Sequence, residues 1–554
     1  MPSRKRNAPI LNRRRFLTAA GFTAAGIAAG QVSLTAGGAT ADPDAVFRHG
    51  VASGDPLPDA VVLWTRVTPT ADALPGSGAG PTVDVTWEVA TDSAFRSVAK
   101  RGKVTAGPAA DHTVKVDVTG LTAHTTYWYR FSCTGHTSGS GRARTAPAAS
   151  AAVPALRFGV VSCANYMGGY FSAYRHLAAR TDLDAVLHLG DYLYEYGNGE
   201  YGPGPEIGRG HEPATEMVTL ADYRRRHAQY KTDPDLRALH AAAPFIVTWD
   251  DHESANDAWS GGAENHQLAT EGDWAERRAA ARRAWGEWMP VREPDPRRLY
   301  RRLTFGSLAD LSMLDLRTYR SKQVENTAFG DVGDPSRTIT GDAQMQWLKD
   351  NLATSKARWK LVGNPVMITP VLFPPLPAEI SRPLADVTGL LPPEGVPYNV
   401  DQWDGYTADR RELLSHLHDN GIDDTVFLTG DIHSSWAADL PLDAGTYPLS
   451  GSAATELVCT SVTSDNLDEI TGSEPRTTSV AVEESFKAAN RHVKYLEFDS
   501  HGYSLLEITP ERVQMDWVYI SDRTDPRATE RRAAGYQVLA GSNRVSPAAS
   551  PLAP

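Results

Sequence analysis

The chain has 554 residues, a formal net charge of −12 and 41% hydrophobic residues. One hydrophobic core rarely serves a chain of this length, so at least two are expected, and no apolar run reaches the roughly 18 residues of a membrane span. The acidic balance also disfavours nucleic-acid binding, since phosphate backbones are held by broad Lys/Arg faces.

Residues 1–41 read as an address. Arg4, Lys5 and Arg6 precede Asn12-Arg13-Arg14-Arg15-Phe16-Leu17, then the Ala/Gly-rich stretch Thr18 to Gly30 and the small-residue site Ala39-Thr40-Ala41. Together these indicate a twin-arginine signal peptide, and hence a secreted protein handed to the twin-arginine export machinery. A basic amphipathic arm is the plainer alternative, but the apolar stretch has no polar face. Cleavage removes six positive charges and no negative ones from −12, leaving −18. An anionic substrate must then meet something locally positive, and bound cations are the economical answer. The three cysteines, Cys133, Cys163 and Cys459, leave at least one thiol unpaired in an exported chain.

Residues 42–145 alternate apolar and polar over short runs, as in Val83-Asp84-Val85-Thr86-Trp87-Glu88-Val89 and Thr126-Tyr127-Trp128-Tyr129-Arg130-Phe131. Turn residues separate the runs, which predicts a small all-β sandwich resembling a fibronectin III module. The Ala/Pro/Ser-rich residues 146–155 read as a linker. From residue 156 to 540 the pattern changes to β-branched runs that end in polar residues: Arg157 to Cys163, Ala185 to Asp191, Phe245 to His252, Trp359 to Asn364 and Thr425 to His433. Helical segments lie between them, for example 222–230 and 272–288, which predicts a layered α/β domain. Its apolar strands should be buried on both faces, with ligands bound beyond their carboxyl ends. Residues 541–554 are small, polar and Pro-containing, and are expected to be a disordered tail.

The reactive residues all stand at those strand ends. Gly190-Asp191 offers a carboxylate whose two oxygens can bridge two cations, and Tyr194 lies three residues on. Gly430-Asp431-Ile432-His433 places two ligands on one side of an extended segment, so that one turn can feed adjacent metals. Thiolate and phenolate donors from Cys163 and Tyr194, with His433, favour Fe(III). The all-oxygen set Asp191, Asp251 and Asp431 suits Ca(II), with Mn or Mg possible. Taken singly, each residue has an ordinary reading: a buried thiol, a turn aspartate, a half-buried ring. Their ordered appearance at successive strand ends is what joins them.

The set Gly190-Asp191-x-x-Tyr194, Asp251-His252-Glu253 and Gly430-Asp431-x-His433 resembles the calcineurin-like metallophosphoesterases in the variant of PhoD-type alkaline phosphatases, with likeness to the iron-dependent phospholipase D enzymes. Trp249-Asp250-Asp251-His252-Glu253, Leu314-Asp315-Leu316-Arg317 and Asp401-Gln402-Trp403-Asp404-Gly405-Tyr406 strengthen it, and the resemblance covers nearly all of the mature chain. It implies a layered metallophosphoesterase sandwich, with Cys163, Asp191, Tyr194 and His433 around iron and Asp191, Asp251 and Asp431 around calcium. Cys163, Asp251 and Asp431 replace residues usual in the wider superfamily, which argues against zinc or a di-iron pair. Asn364 lies where that superfamily has a further histidine ligand, and Asp250 is a second-shell or calcium candidate.

The expected reaction is in-line attack on phosphorus by a hydroxide bridging two cations. His252 is the expected general acid or phosphate donor, and His227 is the alternative. Arg224 and Asn165 are the candidates to contact phosphate. Expected substrates are phosphate mono- or diesters, with phospholipid head groups at a membrane surface as the alternative suggested by the apolar, Pro-rich stretch Val371 to Tyr398, and the expected state is a monomer. A non-catalytic, metal-stabilised surface binding protein is a remote alternative. A redox role is disfavoured because no second cysteine stands near Cys163 in sequence.

Overall fold

The structure, a computed structural model, describes residues 45–293, 295, 298–325, 329–373, 379–380 and 395–552. The signal-peptide reading of residues 1–41 lies outside the described residues, as does most of the stretch between Val371 and Tyr398. No helix among the described residues is long and apolar enough to cross a membrane.

Two large sheets face each other. The first has ten strands, in the order Val545–Pro547, Glu530–Leu539, Arg512–Ile520, Gly502–Ile508, Leu156–Val161, Ala185–Leu189, Phe245–Thr248, Val51–Gly54, Ala60–Arg66 and Thr113–Thr119. The second has seven: Arg301–Phe305, Ala309–Met313, Trp359–Asn364, Thr425–Thr429, Ala454–Val458, Ser435–Leu440 and Val493–Glu497. Their central strands run parallel, Leu156–Val161 beside Ala185–Leu189 beside Phe245–Thr248 in one sheet, and Trp359–Asn364 beside Thr425–Thr429 in the other. These strands are mostly apolar because both of their faces are covered. Phe158, Val160, Leu187 and Leu189 meet Leu361, Val426 and Leu428 between the sheets. The alternate residues Val186, Phe245 and Val247 turn outward onto Leu177, Leu236, Leu239 and Trp285 of the flanking helices. Val362 and Phe427 do the same on the far side, against Leu348, Leu413 and Trp403. Each such side chain contributes about 1.5 to 3 kcal/mol by leaving water, so the middle layer fixes where the strands stop.

The helices start where local chemistry dictates. Leu220–Tyr230 opens with a capping box, in which the Asp222 amide donates to the Thr219 hydroxyl and the Thr219 amide to the Asp222 carboxylate. Trp274–Trp288 is capped by Asp273, which accepts from the Ala275 amide. Both match the helical segments expected at 222–230 and 272–288.

The N-terminal region is all β, as expected, and its strands Val51–Gly54, Ala60–Arg66 and Thr113–Thr119 also extend the ten-stranded sheet, joined by parallel pairing of Gly54 with Phe245. They pack against a separate five-stranded sheet over a core that includes Val61, Leu63, Val85, Val89, Tyr129 and Phe131. The expected disordered tail instead carries Val545–Pro547 paired with Tyr536, Gln537 and Val538. Beyond it the Ala548 amide donates to the Gly535 carbonyl and the Leu552 amide to Asp516. The expected linker is also tied down, by Ala146 donating to Leu57 and Ser307 donating to Ala151.

Candidate metal centre

The carboxyl ends of both sheets open onto one buried place. Cys163 follows Leu156–Val161, Asp191 follows Ala185–Leu189, Asp250 and Asp251 follow Phe245–Thr248, and Asp431 and His433 follow Thr425–Thr429. Turns this tight demand unusual backbone. Gly190 has φ +105°, and a Cβ there would lie 2.6 Å from that of Asp250. A Cβ on Gly430 would lie 2.6 Å from the Ser162 side chain. Side-chain-bearing residues bend as well: Cys163, Asp191, Asp431 and His433 have φ of 57°, 54°, 63° and 52°. The Gly-Asp-Ile-His segment is therefore bent, in place of the extended segment expected from its sequence. It brings Asp431 and His433 to one site by two left-handed residues.

Three overlapping groups of donor atoms result, each with its atoms within 4.8 Å of one another: Cys163, Asp191 and His433; Asp191, Asp251 and His252; and Asp191, Asp250, Asp251 and Asp431. A further group joins Asp251 to Asp257 and Asp401. Tyr194 completes the first set. Its hydroxyl donates to Asp191 Oδ2 at 3.0 Å and lies 3.4 Å from His433 Nε2. His433 Nδ1 sits 2.8 Å from the Asp465 carbonyl, so it carries the proton and Nε2 presents its lone pair inward.

The electrostatics are those of a cation site. Burial pushes the Asp191 carboxyl well above its usual range, and Asp251, Glu253 and Asp431 push it further while His252 opposes. Burial likewise raises the Cys163 thiol and the Tyr194 phenol, each helped by Asp191. Asp191 Oδ1 is buried without a hydrogen-bond partner among the described residues. That orphaned oxygen, with a thiol, a phenol and a correctly protonated imidazole around it, fits a bound cation.

Several neighbours that sequence reasoning did not assign organise the centre. Glu253 accepts from the Asp191, Tyr192 and Asp250 amides at 3.1, 2.7 and 2.8 Å, tying two strand-end turns together, and burial lifts its carboxyl to about 7 against those bonds. Glu195 accepts from His252 Nδ1 at 2.7 Å, from the Asn256 amide at 2.8 Å and from Asn265 Nδ2 at 3.0 Å. Burial opposes a charge on His252, but Asp251, Glu195 and Asp191 outweigh it and raise the imidazole to about 10. The ring stacks on Tyr194 at 4.0 Å. Arg317 pairs with Asp250 and Asp401 and comes within 3.7 Å of Asp251 and 3.9 Å of Asp431. Gln402 Nε2 donates to Asp431 Oδ2 at 3.0 Å. Arg317 and Gln402 stand in recognisable motifs, whereas Glu195 has no spacing that marks it.

The remaining candidates are engaged elsewhere. Arg224 is held by Glu287 and the Ala109 carbonyl rather than facing the carboxylates. His227 stacks on Trp288, and burial lowers its pKa well below the ordinary value. Asn364 donates to the Val366 carbonyl and the Thr429 hydroxyl, and its oxygen accepts from Trp403 Nε1. Asn165 bonds the Tyr201 carbonyl and the Met167 amide. Asp250 reaches the carboxylate cluster, but both of its oxygens accept from Arg317. All three cysteines are free and buried, and Cys459 lies 3.3 Å from the Ser162 hydroxyl.

Comparison with known proteins shows the family of the chain. Residues 158–517 match the family model described as PhoD-like phosphatase, and residues 31–147 match its N-terminal domain. The chain is 38% identical over 504 residues to alkaline phosphatase D of Bacillus subtilis (strain 168), covering 88% of this chain and 80% of that protein. A solved structure titled "Structure of PhoD" superposes with a TM-score of 0.79 at 34% identity, covering 92% of this chain and 93% of the other.

Proposed function

Because the chain belongs to the PhoD-like phosphatase family, and is with it a phosphoric ester hydrolase of the alkaline phosphatase D type, we propose that Asp191 is the shared carboxylate of two unlike cation sites at which the ester is cleaved. The observation that carries this reading is that Asp191 belongs to three overlapping donor groups at once. Cys163, Tyr194 and His433 complete an Fe(III) site with it. Asp251 and Asp431, with Asp250 behind them, complete an oxygen-rich site for Ca(II), or for Mn or Mg. Bound cations supply Lewis acidity toward water and toward the phosphoryl oxygens.

The chain's own residues do the rest. His252, held by Glu195 and stacked on Tyr194, presents Nε2 toward the carboxylates and donates a proton to the leaving-group oxygen or a hydrogen bond to the phosphoryl group. Arg317 balances the carboxylates from the side of Asp250 and Asp401. Arg224 and His227, engaged in packing, take no part in this proposal, and the side chains of Asn364 and Asn165 support the backbone around the site.

Residues 1–41 are proposed as a twin-arginine export signal that yields a secreted enzyme, and residues 42–145 and 156–540 as its two folding regions. Phospholipids belong in the substrate panel because Tyr398, at the end of the apolar stretch, is 42% exposed. The test is turnover by the purified mature chain of an aryl monophosphate, a bis-aryl diester and phosphatidylcholine, with metal analysis and a visible spectrum before and after chelation. Metal-dependent release of phosphate, and a ferric charge-transfer colour lost in Tyr194→Phe, are expected. Full activity after the metals are stripped would overturn the reading. A chelator that lowers the melting temperature without changing any turnover would favour the non-catalytic alternative.

A further inference from the structure

The loop after the strand Ala454–Val458 reaches three of the four proposed iron ligands with consecutive residues. The Thr463 and Ser464 amides each donate to the Cys163 carbonyl at 3.3 Å. The Ser464 hydroxyl lies 2.6 Å from the Tyr194 phenolic oxygen, and the Asp465 carbonyl accepts from His433 Nδ1 at 2.8 Å. Ser464 and Tyr194 are both fully buried. The direction of the serine bond follows from its neighbours. The Tyr194 proton points to Asp191 Oδ2, so the phenolic oxygen can only accept from Ser464. The Cys163 carbonyl competes for the same serine proton at 3.0 Å, and the shorter contact is to the phenol.

The loop is itself held rigidly. The Ser461 hydroxyl meets the Asn466 side chain at 2.7 Å and His501 Nδ1 at 2.9 Å, and His501 Nε2 meets Glu469 at 2.9 Å. Arg523 donates to the Thr463 carbonyl at 2.6 Å and pairs with Asp465 at 2.7 Å. A hydroxyl fixed this well in a dry site does more than satisfy itself. A donor aimed at a ligand oxygen withdraws electron density from it and limits its orientation.

We propose that Ser464 is a positioning residue for Tyr194, whose hydroxyl bond fixes the ring against Asp191 and His433 and sets how strongly the phenolic oxygen donates to a ferric ion. This rests on the reading of Tyr194 as an iron ligand. Removing the donor raises the energy of the oxygen's donor electrons and narrows the gap to the ferric acceptor.

In ferric-loaded holoprotein, Ser464→Ala should therefore shift the tyrosinate charge-transfer band to longer wavelength, and Ser464→Thr, which keeps the hydroxyl, should restore it. Outer-shell changes of this kind weaken metal retention by roughly tenfold to a hundredfold, and competition with a chelator should read a loss in that range. The melting temperature of the metal-free variants reports folding separately. Ser464→Cys, a weaker donor of similar size, reads the same band should the alanine variant not fold. An unshifted band with unchanged retention in the variant overturns the role of Ser464 while leaving Tyr194 as a ligand. A ferric wild-type protein with no such band removes Tyr194 from the ligand set, and this proposal with it.

Discussion

Glu195→Gln isolates the part of the site that no metal analysis can see. The glutamine is nearly isosteric, and its oxygen can still accept from the Asn256 amide and Asn265 Nδ2, the two neutral bonds of the carboxylate. Its amide nitrogen must then face His252 Nδ1, where the carboxylate accepts at 2.7 Å. A charge-assisted bond of this type contributes about 1.5 to 3 kcal/mol. If His252 acts on the leaving group through this support, kcat/KM should fall between about tenfold and about 150-fold. Metal content should not change, because Glu195 belongs to none of the donor groups. The assay is steady-state hydrolysis of an aryl monophosphate by wild type, Glu195→Gln, His252→Asn and the double variant. Residues that act as a unit are not additive, so the double variant should be no slower than His252→Asn alone. Glu195→Gln activity within twofold of wild type, or a full multiplicative loss in the double variant, would refute the reasoning.

Gly190→Ala should destabilise the protein by about 2 to 4 kcal/mol, from a left-handed φ combined with a Cβ driven into Asp250, read as a lower urea midpoint; a loss below about 1 kcal/mol would show that the turn relaxes freely. Arg317→Gln in chelator should cost about 3 to 5 kcal/mol because Asp250 loses its buried partner, while Asp401 keeps Arg320, and added calcium should narrow that deficit; a deficit indifferent to calcium would separate Arg317 from the cation site. His188, fully buried, is lowered by its burial to about 3, whereas in the unfolded chain it takes a proton near 6.5. The unfolded state therefore binds more protons between those values, and metal-free stability should fall by up to about 5 kcal/mol for this group as the pH drops from about 6.5 to 3. His188→Asn should flatten that slope in urea melts at pH 7 and pH 5, and an unchanged slope would place the acid sensitivity elsewhere.

What could be read from the sequence follows from which signals are local. Buried parallel strands leave uninterrupted β-branched runs, so the ends of Ala185–Leu189, Phe245–Thr248 and Thr425–Thr429, and the carboxylates just past them, were visible one by one. Glu195 and Ser464 were not, because their importance lies in what they touch across the fold, and Ser464 meets a phenol 270 residues away. The basic run Tyr223-Arg224-Arg225-Arg226-His227 stands out by composition, yet Arg224 and His227 face Glu287 and Trp288. Sheet membership is equally non-local: nothing in Val51–Gly54 announces a parallel partner at Phe245, and the tail's small polar residues hide a strand paired along Tyr536 to Val538 and held at Val545 by Asp439.

The left-handed backbone at Cys163, Asp191, Asp431 and His433 makes the ligand set inseparable from its turns. Each such residue costs of order 1 kcal/mol or more and persists only where the surroundings over-determine it. Copying the four side chains onto straight strands or a helix of another protein would keep the chemistry and lose the convergence. A transplant would have to carry the glycines, the Glu253 tie between turns and the collar of residues 461–466 as one piece.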